Sequence, residues 1–380
     1  MKAGVLGTVA AAGHSGMGRA EEPGEGPLDG AYRTLGRTGL KVSVVGMGTF
    51  RTIEPALMQF AFDRGINYID TARSYHNGLN EGYVGQALKG YRDKVHVATK
   101  FSPGPKEAMM RSVEASLSKL GTDYVDILMI HGVSSRDGVF NEEVREFASK
   151  AREQGKARFI GLSSHKNEIE VMNAVLEDKF FDVVLIVYNF RARAGVLLGE
   201  KLSKEVVDDA IARVAKAGIG VVAMKTQAGG YKTKELGDIS PHQAALKWVL
   251  QNPNIHTTVP SMVNLDQIKE NTALMREDLT LSSAENRILE RYGRAIAPYH
   301  CLRCGACEPT CPNGVDIPTI NRCLMYAEGY GDLDAARTTH AGLPRARSAE
   351  ACADCATCVA VCPNSLTIPH QIRRARRLFA

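Results

Sequence analysis

The chain has 380 residues, a formal net charge of +5, 44% hydrophobic residues and 23% charged residues. This composition is typical of a globular protein with a large apolar core. Lys and Arg are spread along the chain, which gives no case for nucleic-acid binding, and no stretch approaches the roughly 20 apolar residues of a membrane span. The length suggests two or three domains, although a single α/β barrel can take about 250 residues.

The first 30 residues differ from the rest of the chain. Met1 to Gly13 contains a short run of small apolar residues that resembles the second half of a twin-arginine export signal, but the two arginines are absent. Two interpretations stay open: a cytoplasmic protein as written, or a periplasmic one whose twin-arginine motif lies upstream of Met1. The segment from Gly13 to Gly30 is rich in Gly, Pro and Glu and is predicted to be a flexible linker.

From Tyr32 to about Met275, a short β-branched run, a turn and an amphipathic helical pattern recur. The runs predict eight strands: Val42–Met47, Asn67–Asp70, Val95–Lys100, Val125–His131, Arg158–Leu162, Val183–Tyr188, Gly220–Met224 and Thr257–Pro260. In one helical pattern, Val113, Leu117 and Leu120 share a face before a terminating Gly121. Eight such units predict an α/β fold, a parallel (β/α)8 TIM barrel.

Two further segments frame this predicted barrel. The opening stretch from Tyr32 to Val42 contains a turn between two short extended pieces, and it predicts a hairpin that plugs the bottom of the barrel. Ser282–Ala297 is predicted to be a helix that leads into the next domain. We therefore expect a truncated export signal and flexible linker over 1–30, a barrel over 31–297 and a second domain over 298–380.

Four polar side chains are predicted to meet at one end of the barrel. Asp70 ends the second strand and Tyr75 follows it, while Lys100 ends the third strand and His131 the fourth. Each alone has an ordinary interpretation, as a surface lysine, a core histidine or a packing tyrosine. Because the chemistry of such barrels lies where the strands end, their convergence favours a catalytic site.

The chemistry of these four residues suits carbonyl reduction. A carbonyl that receives a hydride also needs a proton on its oxygen, which Tyr75 can supply. We expect the Lys100 ammonium, oriented by Asp70, to lower the pKa of Tyr75 by favouring the phenolate. His131 can donate a hydrogen bond to the carbonyl oxygen and fix its direction.

Over about 250 residues this part of the chain resembles the aldo/keto reductase family. The resemblance lies in four segments: Ile69–Tyr75 with Glu81, Ser116–His131, Gly155–Ser164 and Val259–Asn271. It implies Asp70, Tyr75, Lys100 and His131 as a catalytic tetrad with Tyr75 as the acid. It also implies an NAD(P) cofactor across the barrel mouth, bound without a Gly-rich fingerprint by Gly48, Thr49, Ser163, Ser164, Lys225, Ser261, Gln267, Glu270 and Asn271.

The cofactor-binding positions depart from the family's pattern. Lys225 stands where the family often has an aromatic residue against the nicotinamide, Leu185 where it often has Gln, and Ser164 where it often has Asn. Ser261 and Gln267 stand where NADP-specific members carry Lys and Arg for the 2′-phosphate. Because two cations are missing from a phosphate site, we expect NAD to be favoured over NADP.

Two cysteine runs near the C-terminus carry the most specific signal in the chain. Both have C-x2-C-x2-C-x3-C-P spacing, which holds thiolates on a 4Fe–4S cluster, and the cysteine before proline usually ligates the other cluster. One predicted cluster therefore has Cys301, Cys304, Cys307 and Cys362 as ligands; the second has Cys352, Cys355, Cys358 and Cys311. Zinc or disulfides are the alternatives, and neither gives a reason for the prolines. The ninth cysteine, Cys323, is predicted to be a buried apolar residue.

Within the second domain, about forty residues separate Cys311 from Cys352, and they include a predicted helix from Ile317 to Gly329. This spacing favours a mainly helical ferredoxin-like arrangement over a compact βαβ form. Ile317 and Ile368 follow the two cysteine runs and are expected to shield the clusters from water. The basic tail over 371–380 is either a solvated helix or a docking face for an acidic electron carrier.

Together these features predict an iron–sulfur oxidoreductase of the aldo/keto reductase type that acts on a small carbonyl or alcohol. Hydride transfer moves two electrons together, whereas a 4Fe–4S cluster moves one, and no flavin motif is present. An alternative therefore stays open, an electron-transfer or redox-sensing protein on a catalytically altered barrel. A third interpretation, a binding scaffold with structural clusters, has less support.

Overall fold

The structure is a computed structural model that describes residues 1, 31–191, 204–231, 236, 239–353, 355, 358–362 and 365–379. The predicted export segment and linker lie outside the described residues. Among the residues described, no helix is both long and apolar enough to cross a membrane.

The chain begins with the predicted hairpin. β1 (Tyr32–Thr34) pairs antiparallel with β2 (Lys41–Ser43). Between them, Leu35 packs so closely on the start of a barrel strand that a Cβ on Gly220 would lie 2.6 Å from its Cδ1. Leu35 and Leu40 belong to the apolar cluster inside the barrel. The prediction that the hairpin plugs the bottom of the barrel is confirmed.

Eight parallel strands form the barrel in sequence order. They are β3 (Met47–Gly48), β4 (Tyr68–Asp70), β5 (His96–Phe101), β6 (Val125–Ile130), β7 (Ala157–Ser163), β8 (Val183–Val187), β9 (Gly220–Met224) and β10 (Thr257–Thr258). Parallel bridges from Val45 to Thr258 and from Gly48 to Ser261 close the ring. The predicted TIM barrel is therefore confirmed.

The first predicted strand, Val42–Met47, is wrong as a single element. Its first residues pair with the hairpin as β2, and Met47 pairs with Ile69 in the barrel as part of β3. The chain bends between them, where a Cβ on Gly46 would lie only 2.7 Å from the carbonyl oxygen of Thr258. Gly46 interrupts the β-branched run at this point, but a single glycine does not by itself predict such a bend.

Ten helices follow or link the barrel strands in the described chain. They are α1 (Pro55–Asp63), α2 (Asn80–Ala87), α3 (Lys106–Leu120), α4 (Arg136–Val139), α5 (Glu142–Glu153), α6 (Glu168–Asp178), α7 (Lys204–Lys216), α8 (Pro241–Leu250), α9 (Leu265–Ala273) and α10 (Ser283–Ile296). In α3, Val113 and Leu120 are buried, and Gly121 ends the helix at φ 66°. The predicted helix over Ser282–Ala297 is α10, and it begins with a capping box in which Ser282 and Glu285 bond each other's backbone N–H groups.

Residues 298–380 are called the C-terminal region, and their described part contains three α-helices. α11 (Ile317–Leu324) continues as a π-helical turn over Met325–Gly329, and α12 (Leu333–Ala341) and α13 (Ile368–Phe379) follow. No β-strand occurs among its described residues, which confirms the mainly helical prediction.

The C-terminal region lies over the barrel mouth. A Cβ on Gly329 would be 2.5 Å from the carbonyl oxygen of Gly229, in the loop after β9, so the two backbones touch where glycine leaves space. From the barrel side, the Arg51 guanidinium donates a hydrogen bond to the Tyr330 carbonyl at 2.5 Å. This contact brings the π-helical turn to the carboxyl ends of the strands.

Candidate active site

A cavity of about 930 Å³ lies between the carboxyl ends of the barrel strands and the C-terminal region. The barrel supplies its floor, including three of the four predicted catalytic side chains: Asp70, Tyr75 and His131. The C-terminal region supplies its roof, including Arg303, Pro318, Thr319, Arg322, Tyr326 and Tyr330. Pockets of this size take small molecules and cofactors.

The four predicted catalytic residues come together at the cavity floor, where Lys100 is buried and does not itself line the cavity. The Nζ of Lys100, whose side chain is 1% exposed, lies 2.5 Å from Asp70 Oδ1, 2.7 Å from the Thr71 carbonyl oxygen and 3.3 Å from the Tyr75 hydroxyl. The rings of Tyr75 and His131 are 6.0 Å apart between centroids and nearly perpendicular. A substrate carbonyl above them would meet the phenol and the imidazole together.

A tight turn after β4 presents Tyr75 to the cavity. The next three residues, His76, Asn77 and Gly78, have φ values of 48°, 52° and 84°, in the left-handed region. Arg73 stabilises this backbone by donating to the Gly78 carbonyl at 2.8 Å and by pairing with the buried Glu81 carboxylate at 2.6 Å. Left-handed backbone at non-glycine residues persists only where the surroundings hold it, and it concentrates at functional sites.

The charges around the tetrad correct one prediction. Burial raises the pKa of Tyr75 well above its usual value, and the Asp70 carboxylate adds to the effect. The prediction that Lys100 lowers the pKa of Tyr75 is wrong in its net direction. Asp70 pairs with the Lys100 ammonium, and burial lowers the pKa of Lys100 itself. The net positive charge that acts on the Tyr75 phenol is therefore small.

His131 is uncharged in this site. Burial, together with the positive charges of Lys100, Arg322 and Lys225, lowers the pKa of His131 to about 3. Its Nδ1 lies 3.4 Å from the Ser74 hydroxyl oxygen. A neutral imidazole can donate a hydrogen bond from one ring nitrogen and accept one at the other.

Most of the predicted cofactor residues line the cavity: Gly48, Thr49, Lys225, Ser261, Gln267, Glu270 and Asn271. Ser163 and Ser164 are fully buried behind the wall. The Ser163 hydroxyl accepts from the Gly132 N–H at 3.1 Å, and the Ser164 hydroxyl donates to the Lys166 carbonyl at 2.8 Å. The next residue, His165, which our sequence analysis missed, faces the cavity instead.

The roof residues were also missed by our sequence analysis. Pro318, Arg322, Tyr326 and Tyr330 recur every four residues, which places them on one face of the helical segment that begins with α11. Tyr326 packs on Phe50 of the floor at 5.1 Å between ring centroids, and Phe50 packs on Tyr75 at the same separation. The repeat of polar and aromatic residues was the available signal, but Phe50, on which Tyr326 packs, is more than 250 residues away in the sequence.

The cysteines of the first predicted set influence one another. Burial and the charges of Cys301, Cys304 and Cys362 raise the pKa of the Cys307 thiol to about 12. Cys362 of the second run thus lies near enough to act on Cys307 of the first. Among the described residues, no group of three or more His, Cys, Asp or Glu side chains is arranged to hold a single metal ion, so both ligand sets stay predictions.

The second set is described in part. Asn313, two residues after Cys311, approaches the Cys355 thiol with its side-chain nitrogen 3.9 Å from the sulfur. Ile317 and Ile368 are buried in the apolar cluster that contains Cys307 and borders Cys311 and Cys352, in accord with a shielding role. Cys323 is fully buried, as predicted.

The basic tail is not simply solvated. In α13, Arg374 pairs with Glu328 and covers the Tyr299 ring, and Arg376 donates to the carbonyls of Ala349 and Cys352. Arg373 and Arg377 are exposed. Two of the four arginines in residues 373–377, Arg374 and Arg376, thus stabilise the C-terminal region itself.

Comparisons with known proteins agree with this architecture. The model of the Aldo/keto reductase family matches residues 51–238, and a model described as a 4Fe-4S dicluster domain matches residues 300–367. L-galactose dehydrogenase of Arabidopsis thaliana is 28% identical over 68% of this chain and 92% of its own length. The uncharacterized oxidoreductase YrpG of Bacillus subtilis (strain 168) is 30% identical over 63% of this chain and 89% of its own.

Solved structures of the same kind share the fold. An aldo-keto reductase from Klebsiella pneumoniae in complex with NADPH is 25% identical and covers 69% of this chain and 95% of its own, with a TM-score of 0.55. The holo form of the aldo-keto reductase AKR11C1 from Bacillus halodurans has a TM-score of 0.54 and covers 68% and 95% of the two chains. With its barrel mouth built in this way, the chain belongs to the aldo/keto reductase family of oxidoreductases and carries a 4Fe-4S dicluster domain at its C-terminus.

Proposed function

We propose that the protein interconverts a carbonyl and an alcohol with a nicotinamide dinucleotide, with Tyr75 as the proton donor and acceptor. The observation that carries this proposal is the Tyr75 hydroxyl, 3.3 Å from Lys100 Nζ and facing the same cavity as His131. The named relatives include a dehydrogenase, which supports redox chemistry on a small molecule.

The chain's own residues supply binding, orientation and the proton. A nicotinamide dinucleotide, when bound, supplies or accepts the hydride. The raised pKa keeps Tyr75 protonated, so that it donates a hydrogen bond to the carbonyl oxygen. That oxygen becomes an alkoxide, which is more basic than a phenolate, and it takes the Tyr75 proton. Neutral His131 donates a second hydrogen bond and fixes the oxygen's position.

Residues of α9 on the cavity wall support the proposed dinucleotide site. Asn264 caps α9 by accepting from the Gln267 N–H at 2.9 Å, and Gln267, Glu270 and Asn271 of that helix line the cavity. Neither Ser261 nor Gln267 is cationic, so we propose that NAD is favoured over NADP although a solved neighbour is described with NADPH. The contact between Tyr326 and Lys225, whose Nζ lies 5.6 Å from the ring centroid, places an aromatic side chain near the residue that replaces the family's stacking aromatic.

We further propose two 4Fe–4S clusters with exchanged fourth ligands in the C-terminal region. Cys301, Cys304, Cys307 and Cys362 would hold one, and Cys352, Cys355, Cys358 and Cys311 the other. The domain limits proposed above, 31–297 and 298–380, separate the barrel from these ligands. One-electron transfer is the chemistry such clusters supply when present.

The test is an anaerobic assay of the full-length protein with NADH or NADPH and a panel of aldehydes and ketones. We expect turnover, tighter binding of NADH than of NADPH, and a fall in kcat/KM of about 10²- to 10⁴-fold in Tyr75→Phe, which removes only the proton donor. Tyr91→Phe is the matched control, because its hydroxyl bonds Asp63 at the surface, outside the cavity.

Iron analysis and EPR of the same sample test the clusters, with about eight irons expected per chain.

If the protein turns over no carbonyl and Tyr75→Phe behaves like Tyr91→Phe, the reductase proposal is wrong. Reduction of the clusters by an electron donor, without carbonyl turnover, would instead favour the electron-transfer function. The ring contacts that run from Tyr75 through Phe50 to Tyr326 of the C-terminal region are the observation that favours this second candidate.

A further inference from the structure

Three cationic side chains face one another across the cavity. Arg303 and Arg322 come from the C-terminal region, and Lys225 comes from the end of β9 on the barrel side. Lys225 adopts a left-handed backbone with φ 54°, a conformation that a lysine seldom takes. Two parts of the chain that are far apart in sequence thus converge to place positive charge in the same space.

In the described chain, the two arginines each have a side-chain nitrogen without a partner. Arg303 is 4% exposed, yet its Nε is buried with no hydrogen-bond acceptor among the described residues, and the same holds for Arg322 Nε. Buried donors are nearly always bonded in folded proteins, so each orphan needs an explanation. Both side chains line the cavity, and a ligand there can supply the acceptor.

The carboxylates that line the cavity do not pair with these three cations. Asp70 is paired with Lys100, Glu270 accepts a hydrogen bond from Ser240, and Asp332, beside Asp334, accepts from the Ala335 N–H at 2.9 Å. Glu168 is the acid whose charge acts on Arg303 and Lys225, and burial raises its pKa to about 7, so it is only partly ionised at neutral pH. Among the described residues, none of these carboxylates forms an ion pair with Arg303, Arg322 or Lys225.

The three cations lie beside the proposed catalytic residues. Arg322 acts electrostatically on both Tyr75 and His131, and Lys225 acts on His131. Arg322 and Tyr326 are one helical turn apart, and Tyr326 is linked to Tyr75 through Phe50. An anionic group bound by Arg322 would therefore belong to a molecule that also reaches Tyr75.

We propose that Arg303, Arg322 and Lys225 bind the anionic group, a carboxylate or a phosphate, of the substrate whose carbonyl or hydroxyl faces Tyr75 and His131. This inference rests on the reductase function proposed above and names its substrate class, an anionic oxo or hydroxy compound. The C-terminal region thereby contributes to substrate specificity through its own side chains. Guanidinium groups suit this task because they offer paired N–H donors to two anionic oxygens.

The test compares two aldehydes that differ in charge at one position, 4-carboxybenzaldehyde and methyl 4-formylbenzoate, in the holoprotein with NADH. We expect the carboxylate to have the higher kcat/KM, and Arg322→Gln to reduce that advantage by about 10- to 100-fold while the ester changes little. Arg337→Gln is the matched control, since Arg337 is an exposed arginine of the same region outside the cavity. Iron content and cluster EPR must match those of the unaltered protein in both variants.

A binding measurement tests this inference independently of the reductase proposal. Terephthalate, which has no carbonyl to reduce, is titrated calorimetrically into Tyr75→Phe with and without Arg322→Gln. Binding that is lost with Arg322→Gln supports the anion site even if neither aldehyde is turned over. Equal kcat/KM for the two aldehydes, unchanged by Arg322→Gln, overturns it while the reductase function stands. Weaker NADH binding in Arg322→Gln, with the carboxylate preference intact, overturns it as well and assigns these cations to the cofactor's phosphates.

Discussion

In the part of the chain that the structure describes, buried charged side chains are fully paired at the bottom of the barrel, whereas some at the mouth have unpaired donors. At the bottom, Asp126 accepts hydrogen bonds from the Val97 N–H at 2.9 Å and from Arg158 at 2.8 Å, and it pairs with Arg92 at 3.1 Å. At the mouth, the Nε atoms of Arg303 and Arg322 are buried without an acceptor among the described residues. Charges satisfied within the chain stabilise it, whereas charges left unsatisfied around a cavity are available to a ligand.

Other contacts at the bottom repeat this pattern. Arg37 of the hairpin pairs with Asp182 at 2.9 Å, and Arg33 donates to the backbone carbonyls of Leu250 and Asn252 at 2.7 and 3.0 Å. These arginines fasten the hairpin to the barrel. The Asp70–Lys100 pair is the intermediate case, since it is paired but lies at the mouth, and Asp70 Oδ2 has no partner among the described residues.

The largest expected effect comes from breaking the pair at the mouth. Lys100→Met removes the group that orients the Tyr75 hydroxyl and leaves the Asp70 carboxylate buried beside it. We expect kcat/KM for any carbonyl substrate to fall by about 10²- to 10⁴-fold in steady-state assays with NADH. Lys247→Met is the control, because Lys247 pairs with Glu285 at 3.1 Å away from the cavity. Similar losses in the two variants would mean that Lys100 acts only through stability.

An equivalent change at the bottom should affect stability and leave activity intact. In Asp126→Asn, Arg92 and Arg158 lose their carboxylate, and we expect a loss of about 1–3 kcal/mol in the free energy of unfolding. Thermal unfolding followed anaerobically by circular dichroism should shift down by a few degrees. We expect kcat/KM at 25 °C to stay within about two-fold of the unaltered protein. A large loss of activity in a folded, iron-replete Asp126→Asn protein would contradict the division between the two ends.

The sequence allows the floor of the site to be predicted but not its roof. Asp70, Lys100 and His131 each end a strand or nearly so, and parallel strands bring such residues to one edge whatever the loops do. Arg322 and Tyr326 reach the same cavity only because Gly229 and Gly329, a hundred residues apart, let two backbones touch. No local pattern reports such a contact. The direction of the Tyr75 pKa shift was missed for a related reason, since burial under this roof outweighs the nearby ammonium.

The smallest expected effect is on pH dependence, and it differs between the two aldehydes. For the neutral ester, Tyr75 stays protonated and His131, with a pKa of about 3, stays neutral. The groups around His131, namely Lys100, Lys225, Arg322 and the neutral His165, only lower its pKa further or leave it unchanged. We therefore expect kcat/KM for the ester to vary by less than about three-fold between pH 6 and 8.

For 4-carboxybenzaldehyde, which is ionised over that range, kcat/KM should fall as the pH rises. Glu168 gains negative charge as the pH passes its pKa of about 7. This added negative charge weakens the attraction for a carboxylate, by about three-fold. Glu168→Gln should remove this decline and leave the ester profile flat. Two results would contradict this expectation: kcat/KM for the carboxylate that increases with pH, or kcat/KM for the ester that changes steeply near pH 6.5. Either would show that a histidine titrates in its ordinary range and that the barrel mouth is more open to water than its burial indicates.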